Sequence, residues 1–446
     1  MWLILLLFVS VVFVIVATTK LRLHAFLALL LAAFGYGILC GSMSLEDVVR
    51  SVNSGFGGTI GHIGIVILAG SIIGTFLEKS GGAFRLAAST LKVVGQKNVP
   101  LAMGLIGYVV SIPVFCDSGF VILSPLCRAL SRRAKISLAG SAIALSLGLY
   151  ATHVMVAPTP GPVAAAGVLG ADLGLVILWG VLVSFIAFVA GWLFAIKVAA
   201  KVYISPESEP DESPADTSAE EGPSTIKSLM PILLPILLIV AKSIGDFPTR
   251  PFGEGNVAAI ISFVGQPVVA LLLGVFFAFL LPKKLTTDML STSGWVGEGV
   301  VAAATIIVIT GSGGAFGKVL QNSGIADVVG DYLGSANLSI WLPFFIAAAL
   351  KTAQGSSTVA IITTAGIVQP LLEPLGLDAP TAKALVVVVI GAGSMVVSHA
   401  NDSFFWVVTQ LSGMSVKEGY RLQTLGTLVE GSAAAVALWI ISLFVV

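Results

Sequence analysis

The segment Val397–Phe405, with the sequence VSHANDSFF, carries residue types that can bind ions and exchange protons. His399, Asn401, Asp402 and Ser403 lie within it, directly after a long apolar run. Inside a bilayer each unpaired backbone group costs several kcal/mol, so polar, irregular sequence survives there only within protein or beside water. An acid or a histidine at that depth indicates a functional site. The alternative interpretation is an aqueous loop between two spans.

The composition decides which kind of protein contains this segment. Of 446 residues, 57% are hydrophobic and only 10% are charged, whereas soluble domains carry roughly 25% charged residues. The chain is therefore expected to be an integral membrane protein. Its net charge of zero argues against a nucleic-acid partner. The three cysteines, Cys40, Cys116 and Cys127, lack metal-type or disulfide-type spacing, so we expect neither a metal nor another cofactor.

An acidic segment divides the chain into two halves. Residues 205–225 contain seven acidic residues, four prolines and no basic residue, a composition that predicts a disordered linker. Residues 1–204 and 226–446 each contain a series of apolar runs near the 20-residue length of a membrane span.

Three sequence landmarks recur in the same order in both halves. They are LEKSG (77–81) and LQNSG (320–324), FCDSGF (115–120) and AQGSSTV (353–359), and YATHVMVAPTPGP (150–162) and VSHANDSFF. Duplicated transporters with interrupted helices show this pattern, and their interrupted segments form the binding site. His153 and His399 occupy corresponding positions.

The distribution of lysine and arginine, which concentrate in short cytoplasmic loops, predicts the topology. All basic loops lie on one side only if residues 98–133 form a re-entrant hairpin, with residues 337–374 as its counterpart. Residues 137–170 and 380–411 are then broken helices. We expect an all-α polytopic membrane protein of two inverted repeats, each with about five transmembrane helices plus one hairpin, and discontinuous helices at the midplane. Both termini then face outside and the acidic linker is cytoplasmic. A count of fourteen full crossings is the alternative.

The four polar breaks should meet near the midplane, where free helix N-termini favour an anion. The substrate-binding candidates are Asp117, Ser118, Gly119, Thr152, His153, Thr159, Gly355, Ser356, Ser357, Thr358, His399, Asn401, Asp402 and Ser403. Such a hydroxyl-rich site suits a small polyhydroxylated acid. Structural roles remain open, because serine and threonine often bond to their own helix. Lys351 either pairs with an anionic substrate or extends to the outer surface.

Coupling to an ion gradient requires a titratable group or a sodium site. Asp117, Asp402, His153 and His399 all lie within the breaks, and such groups can titrate near neutral pH. Proton coupling is therefore expected, with Asp117 and Asp402 as the leading carriers. The histidines have an alternative role as neutral donors that hold a break in shape. Sodium bound by serine, threonine and asparagine is the alternative ion.

A membrane enzyme is the competing functional class. The sequence lacks a nucleophile elbow, a zinc-protease helix and a phosphate loop on a suitable element. A hydrolase using Ser118 or Ser356 with His153 would leave the duplicated organisation unexplained. We therefore expect a carrier and not an enzyme.

Four motifs carry a family resemblance. FCDSGFVILSPL, THVMVAPTPGPVAAAG, GSSTVA and DSFFW resemble the bacterial gluconate permease family of proton symporters, and the likeness spans essentially the whole chain. It implies import of gluconate or a related sugar acid with protons across the bacterial inner membrane. The wider ion-transporter superfamily implies inverted hairpins, a homodimer and elevator-type movement. Members of the family also carry D-serine and other small hydroxy or amino acids, and a sodium-coupled organic anion symporter is a further alternative.

Overall fold

The chain folds as a bundle of helices. The computed structural model describes residues 2–94, 98–206, 222–245, 251–325, 328, 339–399 and 402–445. Within these ranges all regular elements are helical, which confirms the expected all-α class.

Nine α-helices lie in the described part of the first half. They are α1 Trp2–Thr19, α2 Ala25–Leu39, α3 Leu45–Lys79, α4 Gly82–Val94, α5 Val99–Val110, α6 Cys116–Arg133, α7 Leu138–Met155, α8 Pro160–Leu169 and α9 Leu173–Lys197. The tip of the first hairpin thus separates α5 from α6, and the first interrupted segment, residues 150–162, separates α7 from α8.

Eleven more α-helices lie in the described part of the second half. They are α10 Thr225–Gly245, α11 Asn256–Val264, α12 Pro267–Ala278, α13 Thr287–Leu290, α14 Trp295–Asn322, α15 Trp341–Gln354, α16 Ser357–Val368, α17 Pro380–Met395, α18 Ser403–Leu411, α19 Val416–Gly419 and α20 Leu425–Val445. A π-helical turn, Tyr420–Thr424, leads into α20.

Five helical segments of the described chain are long and apolar enough to cross a membrane, and two bent pairs raise the number to seven. The arms α5 and α16 are shorter, at 12 residues each. At about 1.5 Å per residue, each rises only about 18 Å, less than the ~30 Å hydrocarbon core. This length suits re-entrant arms, while their sidedness stays a prediction.

Two elements differ from the apolar runs read from sequence. Helix α3 starts sixteen residues before the apolar run 61–77, because Ser44 caps it by accepting a hydrogen bond from the Asp47 N–H. The apolar run 257–281 is not one straight span, since α11 and α12 are bent by 68°. Pro267 opens α12 and has no N–H to continue the helix from Val264.

The two interrupted segments and the second hairpin form the centre of the molecule. Every residue of α7 is buried, and so are nearly all of α8 and residues 360–368 of α16. Close helix crossings depend on small residues, as is usual in membranes. A methyl group on Gly55 of α3, for example, would lie 2.5 Å from the Gly314 carbonyl of α14.

Candidate functional site

A buried ion pair joins the second hairpin to the second interrupted segment. Lys351 Nζ lies 2.6 Å from Asp402 Oδ2, and the two side chains are 0% and 6% exposed. Lys351 is the only buried lysine or arginine in the described part of the chain. The structure therefore excludes its extension to the outer surface.

Each charge of the pair lies at the helix end that favours it. Lys351 is in the last turn of α15, and Asp402 is the N-cap of α18, where Oδ1 accepts a hydrogen bond from Phe404 N–H at 3.1 Å. A cation at a C-terminus and an anion at an N-terminus both complement the helix dipole. Gly355 follows α15 in the left-handed conformation, φ +88°, and its carbonyl accepts a hydrogen bond from Lys351 Nζ.

The second interrupted segment is held by α20 and by the π-helical turn that precedes it. Ser398 Oγ donates to Asp402 Oδ2 at 2.5 Å, while Ser398 N–H donates to Thr427 Oγ1 at 3.1 Å. Thr424, in the π-helical turn, donates its hydroxyl to the Ser398 carbonyl. Val397 is left-handed with φ +58°, a strained conformation for a β-branched residue. Such strain persists only where the surroundings impose it.

The first hairpin brings a second acid to the same place. Asp117, in the first turn of α6, lies beside the Ser403 hydroxyl and close to Asp402. Its Oδ1 is buried and has no hydrogen-bond partner among the described residues. The site thus contains two neighbouring carboxyl groups and one cation.

Aromatic rings close the site on the side of α7. Lys351 Nζ lies 5.8 Å from the centroid of the buried Tyr150 ring, within the range of a cation–π interaction. Tyr150 packs on Phe404 at 5.2 Å between centroids, and Phe404 packs on Phe120 of the first hairpin at 6.2 Å. These contacts bring residues of three of the four breaks together.

The two histidines occupy different environments. His153 is 6% exposed, packs 5.8 Å from the Phe115 ring, and has a buried Nδ1 with no partner among the described residues. His399 Nε2 lies 2.8 Å from the Thr352 carbonyl of α15, and its ring stacks on Tyr420. His399 therefore ties the second interrupted segment to the second hairpin.

Three of the remaining candidates use their hydroxyl groups to bond the backbone. Thr152 and Thr159 donate to the backbone carbonyls of Tyr108 and Val156, so their donors are already used. Ser356 caps α16 by accepting from Val359 N–H.

Three further candidates surround this core. Gly119 allows close packing, since a methyl group there would lie 2.6 Å from Leu149 Cδ2. Ser118 lies beside the Glu78 carboxyl, and Ser357 lies beside the Tyr150 hydroxyl. Thr358 is half-buried on α16, and Asn401 lies outside the described residues.

Comparison with known protein families identifies the family of this chain. The model of the family described as GntP family permease matches residues 2–444. The chain belongs to the GntP permease family. It is 35% identical to a gluconate permease of Pseudomonas aeruginosa, over 93% of this chain and 92% of that protein. It is also 32% identical to the D-serine transporter DsdX of Escherichia coli K12, over 100% and 99% of the two chains. The chain is thus a multi-pass membrane transporter, and the resemblance read from sequence is confirmed.

A solved structure shows the same fold. The crystal structure of the Alcanivorax borkumensis YdaH transporter, described as having an unusual topology, is similar with a TM-score of 0.66. The match covers 94% of this permease and 99% of that chain at 16% identity. At that identity the likeness concerns the fold alone.

Sequence reasoning missed several members of the site in this permease. The roles of four residues depend on contacts between distant segments, so the sequence did not single them out: Tyr150, Ser398, Thr424 and Thr427. Lys351 had a visible signal, because it is the only charged residue between 338 and 372. A charge that is isolated in an apolar hairpin indicates a buried partner.

Proposed function

We propose that this permease imports gluconate or a closely related sugar acid together with protons. The observation that carries the proposal is the buried Lys351–Asp402 pair, which offers a cation to an anionic substrate and an acid to a proton. Both groups lie where the second hairpin meets the second interrupted segment.

Charge balance explains why substrate and proton would move together. An unpaired charge inside the membrane is costly, so Lys351 needs an anionic partner in every state. Without substrate that partner is Asp402. When a substrate carboxylate takes Lys351, Asp402 is left as a second buried anion unless it binds a proton. One substrate anion and one proton therefore enter together, and the net charge of the site stays the same.

The neighbouring groups favour a hydroxylated acid as the substrate. Ser356, Ser357 and the half-buried Thr358 open α16 beside Lys351. Hydroxyl groups there can bond a sugar acid's own hydroxyls, and helix N-termini favour its carboxylate. The similarity to a gluconate permease supports this class.

A second candidate substrate is D-serine or another small hydroxy or amino acid. The similarity to DsdX favours it, since the same cation and hydroxyls would bind an amino acid's carboxylate and side chain. Binding competition distinguishes the two: unlabelled gluconate, D-serine and related acids compete against bound labelled gluconate. Displacement by D-serine at lower concentration than by unlabelled gluconate would favour the second candidate.

The proposal includes the architecture expected from sequence. Two inverted repeats, 1–204 and 226–446, would place the hairpins 98–133 and 337–374 on opposite sides of the bilayer. The same proposal includes elevator-type movement, a homodimer, a cytoplasmic acidic linker and a location in the inner membrane. The short arms α5 and α16 and the meeting of the breaks at one buried pair support it.

Proteoliposomes test the coupling. An imposed inward proton gradient should drive gluconate accumulation, and a sodium gradient at equal pH on both sides should not. Accumulation that follows sodium would contradict proton coupling and favour a sodium-coupled organic anion symporter. Failure of both gradients with gluconate, but success with D-serine, would change the substrate and retain the coupling.

A further inference from the structure

A second buried acid lies outside the site described above. Glu430, in the second turn of α20, is fully buried, and neither of its carboxyl oxygens has a hydrogen-bond partner among the described residues. The carboxyl faces α9, because a methyl group on Gly191 would lie 3.2 Å from Glu430 Oε1 and 3.1 Å from Leu147 Cβ of α7. It is therefore enclosed by α7, α9 and α20.

A polar side chain with only part of its hydrogen-bonding groups satisfied lies on the same face, in the π-helical turn before α20. Gln423 is fully buried seven residues earlier, and its Oε1 accepts a hydrogen bond from Ser146 of α7 at 2.8 Å. Its Nε2 has no partner among the described residues. Buried polar groups normally find partners, so two unsatisfied groups on one helix face indicate a site with a variable occupant.

In the conformation that the structure describes, Glu430 has no cation or hydrogen-bond donor that would stabilise its carboxylate. The ionisable groups on the elements packed against it are Tyr150 and His153 on α7, Lys197 on α9, Lys383 on α17, and Tyr420 and Arg421 before α20. No ion pair or hydrogen bond joins any of these to Glu430 in the described structure. A buried acid without a cation exists at low cost only while it carries a proton.

A chain of hydrogen bonds links the helix of Glu430 to the ion pair. Thr427, one turn earlier on α20, accepts the hydrogen bond from Ser398 N–H, and Ser398 donates to Asp402. A rearrangement at Asp402 therefore moves the same helix segment that packs Glu430 against α7 and α9.

We propose that Glu430 is a second proton-binding site, which gains and loses its proton once in each transport cycle. The inference rests on the proposed import of a sugar acid with protons. One proton at Asp402 balances the substrate's negative charge, so a second proton at Glu430 makes import carry one net positive charge inward.

Membrane potential gives the test. Proteoliposomes with equal pH on both sides, no sodium and a valinomycin potassium potential of 100 mV, inside negative, are supplied with labelled gluconate. One net charge at 100 mV is worth about 2.3 kcal/mol, or about fifty-fold in the equilibrium accumulation ratio. The unmodified protein should approach this stimulation. Glu430→Gln should lose the stimulation and still accumulate gluconate with a proton gradient. Glu430→Asp, which keeps an acid, should retain at least part of the stimulation.

The controls separate this proposal from the proposed function. Ser442→Ala, on the same helix, removes a hydroxyl that bonds only the Trp439 carbonyl in the described structure, and it should respond to potential like the unmodified protein. Potential-independent uptake by the unmodified protein, or full stimulation of Glu430→Gln, would overturn the role of Glu430. Neither result affects gluconate and proton import, whose failure would show as no accumulation under a proton gradient.

Discussion

At the scale of residues, the proposed coupling depends on an exchange of partners around one buried ammonium group. Lys351 contacts Asp402, the Gly355 carbonyl and the face of Tyr150. Asp402 also accepts from Ser398 and Phe404, and these donors together with Lys351 stabilise its carboxylate against protonation. A substrate carboxylate that attracts Lys351 would remove the strongest of these interactions and so favour protonation.

Asp402→Asn should separate binding from coupling. Asparagine is also a good N-cap, so α18 should keep its start, while the proton site is lost and Lys351 lacks an anion. We expect gluconate to bind at least as tightly as in the unmodified protein, with little dependence on pH. In the unmodified protein, uptake of one proton with the substrate should weaken binding by up to about tenfold per pH unit as pH rises. Gradient-driven accumulation should be lost.

Titration calorimetry across pH 5–8 measures this binding, and proteoliposome uptake measures accumulation. Asp378→Asn, which changes an exposed acid before α17, is the matched control and should leave both unchanged. Undiminished accumulation by Asp402→Asn would remove Asp402 from the coupling role.

The ion pair also predicts a non-additive effect on stability. Removing one partner of a buried pair leaves an uncompensated charge and costs about 3–5 kcal/mol. Lys351→Met and Asp402→Asn should each lower the unfolding temperature in detergent. The double variant should recover most of the loss, since neither charge remains, and should not transport. Additive losses in the double variant would mean that the two charges do not stabilise each other.

At the scale of elements, the helix interruptions leave backbone groups free to bond the side chains of the site. The left-handed Gly355 ends α15 and turns its carbonyl towards Lys351. Val397 is left-handed as well, and the chain after it is fixed by Thr424 and Thr427. The two breaks of the second half are thus linked by Lys351, Asp402 and the His399 contact with the Thr352 carbonyl.

Gly355→Ala should damage this link. A residue with a Cβ costs roughly 1–2 kcal/mol in the left-handed region, so the variant should be less stable and should bind gluconate more weakly. Gly57→Ala is the matched control, because Gly57 is helical in α3 with open space around it. It should be neutral or slightly stabilising. Thermal unfolding measures the stability of each variant, and gluconate titration measures its binding. Equal effects of the two substitutions would contradict the role of Gly355.

At the scale of the whole molecule, the described helices surround a buried centre made of α7, α8, α16 and α17. The solved structure of the YdaH transporter has a similar fold. The side of the bilayer on which each loop lies stays a prediction from the distribution of lysine and arginine.

A labelling experiment tests the sidedness. Ser213→Cys, in the acidic linker, should react with a membrane-impermeant maleimide in inside-out vesicles and not in spheroplasts. The three natural cysteines are buried, so the unmodified protein is the control and should react in neither. Reaction in spheroplasts would place the linker outside and invert the proposed topology.

The sequence by itself determined the membrane class, the helical fold, the family and the breaks at which the site forms. Hydropathy, proline and glycine act locally, so α5, α6, α15 and α16 could be read from the chain. Asp117 and Asp402 were visible for the same reason, because an acid in an apolar stretch stands out.

Only the tertiary structure decided which of these residues meet. Lys351 and Asp402 are 51 residues apart, and nothing in either segment specifies the partner of a buried charge. The support of Ser398 by α20 and the burial of Glu430 between three helices are likewise decided by packing. Electrostatic partners in a low-dielectric interior are fixed by distance in space, and a sequence records only distance along the chain.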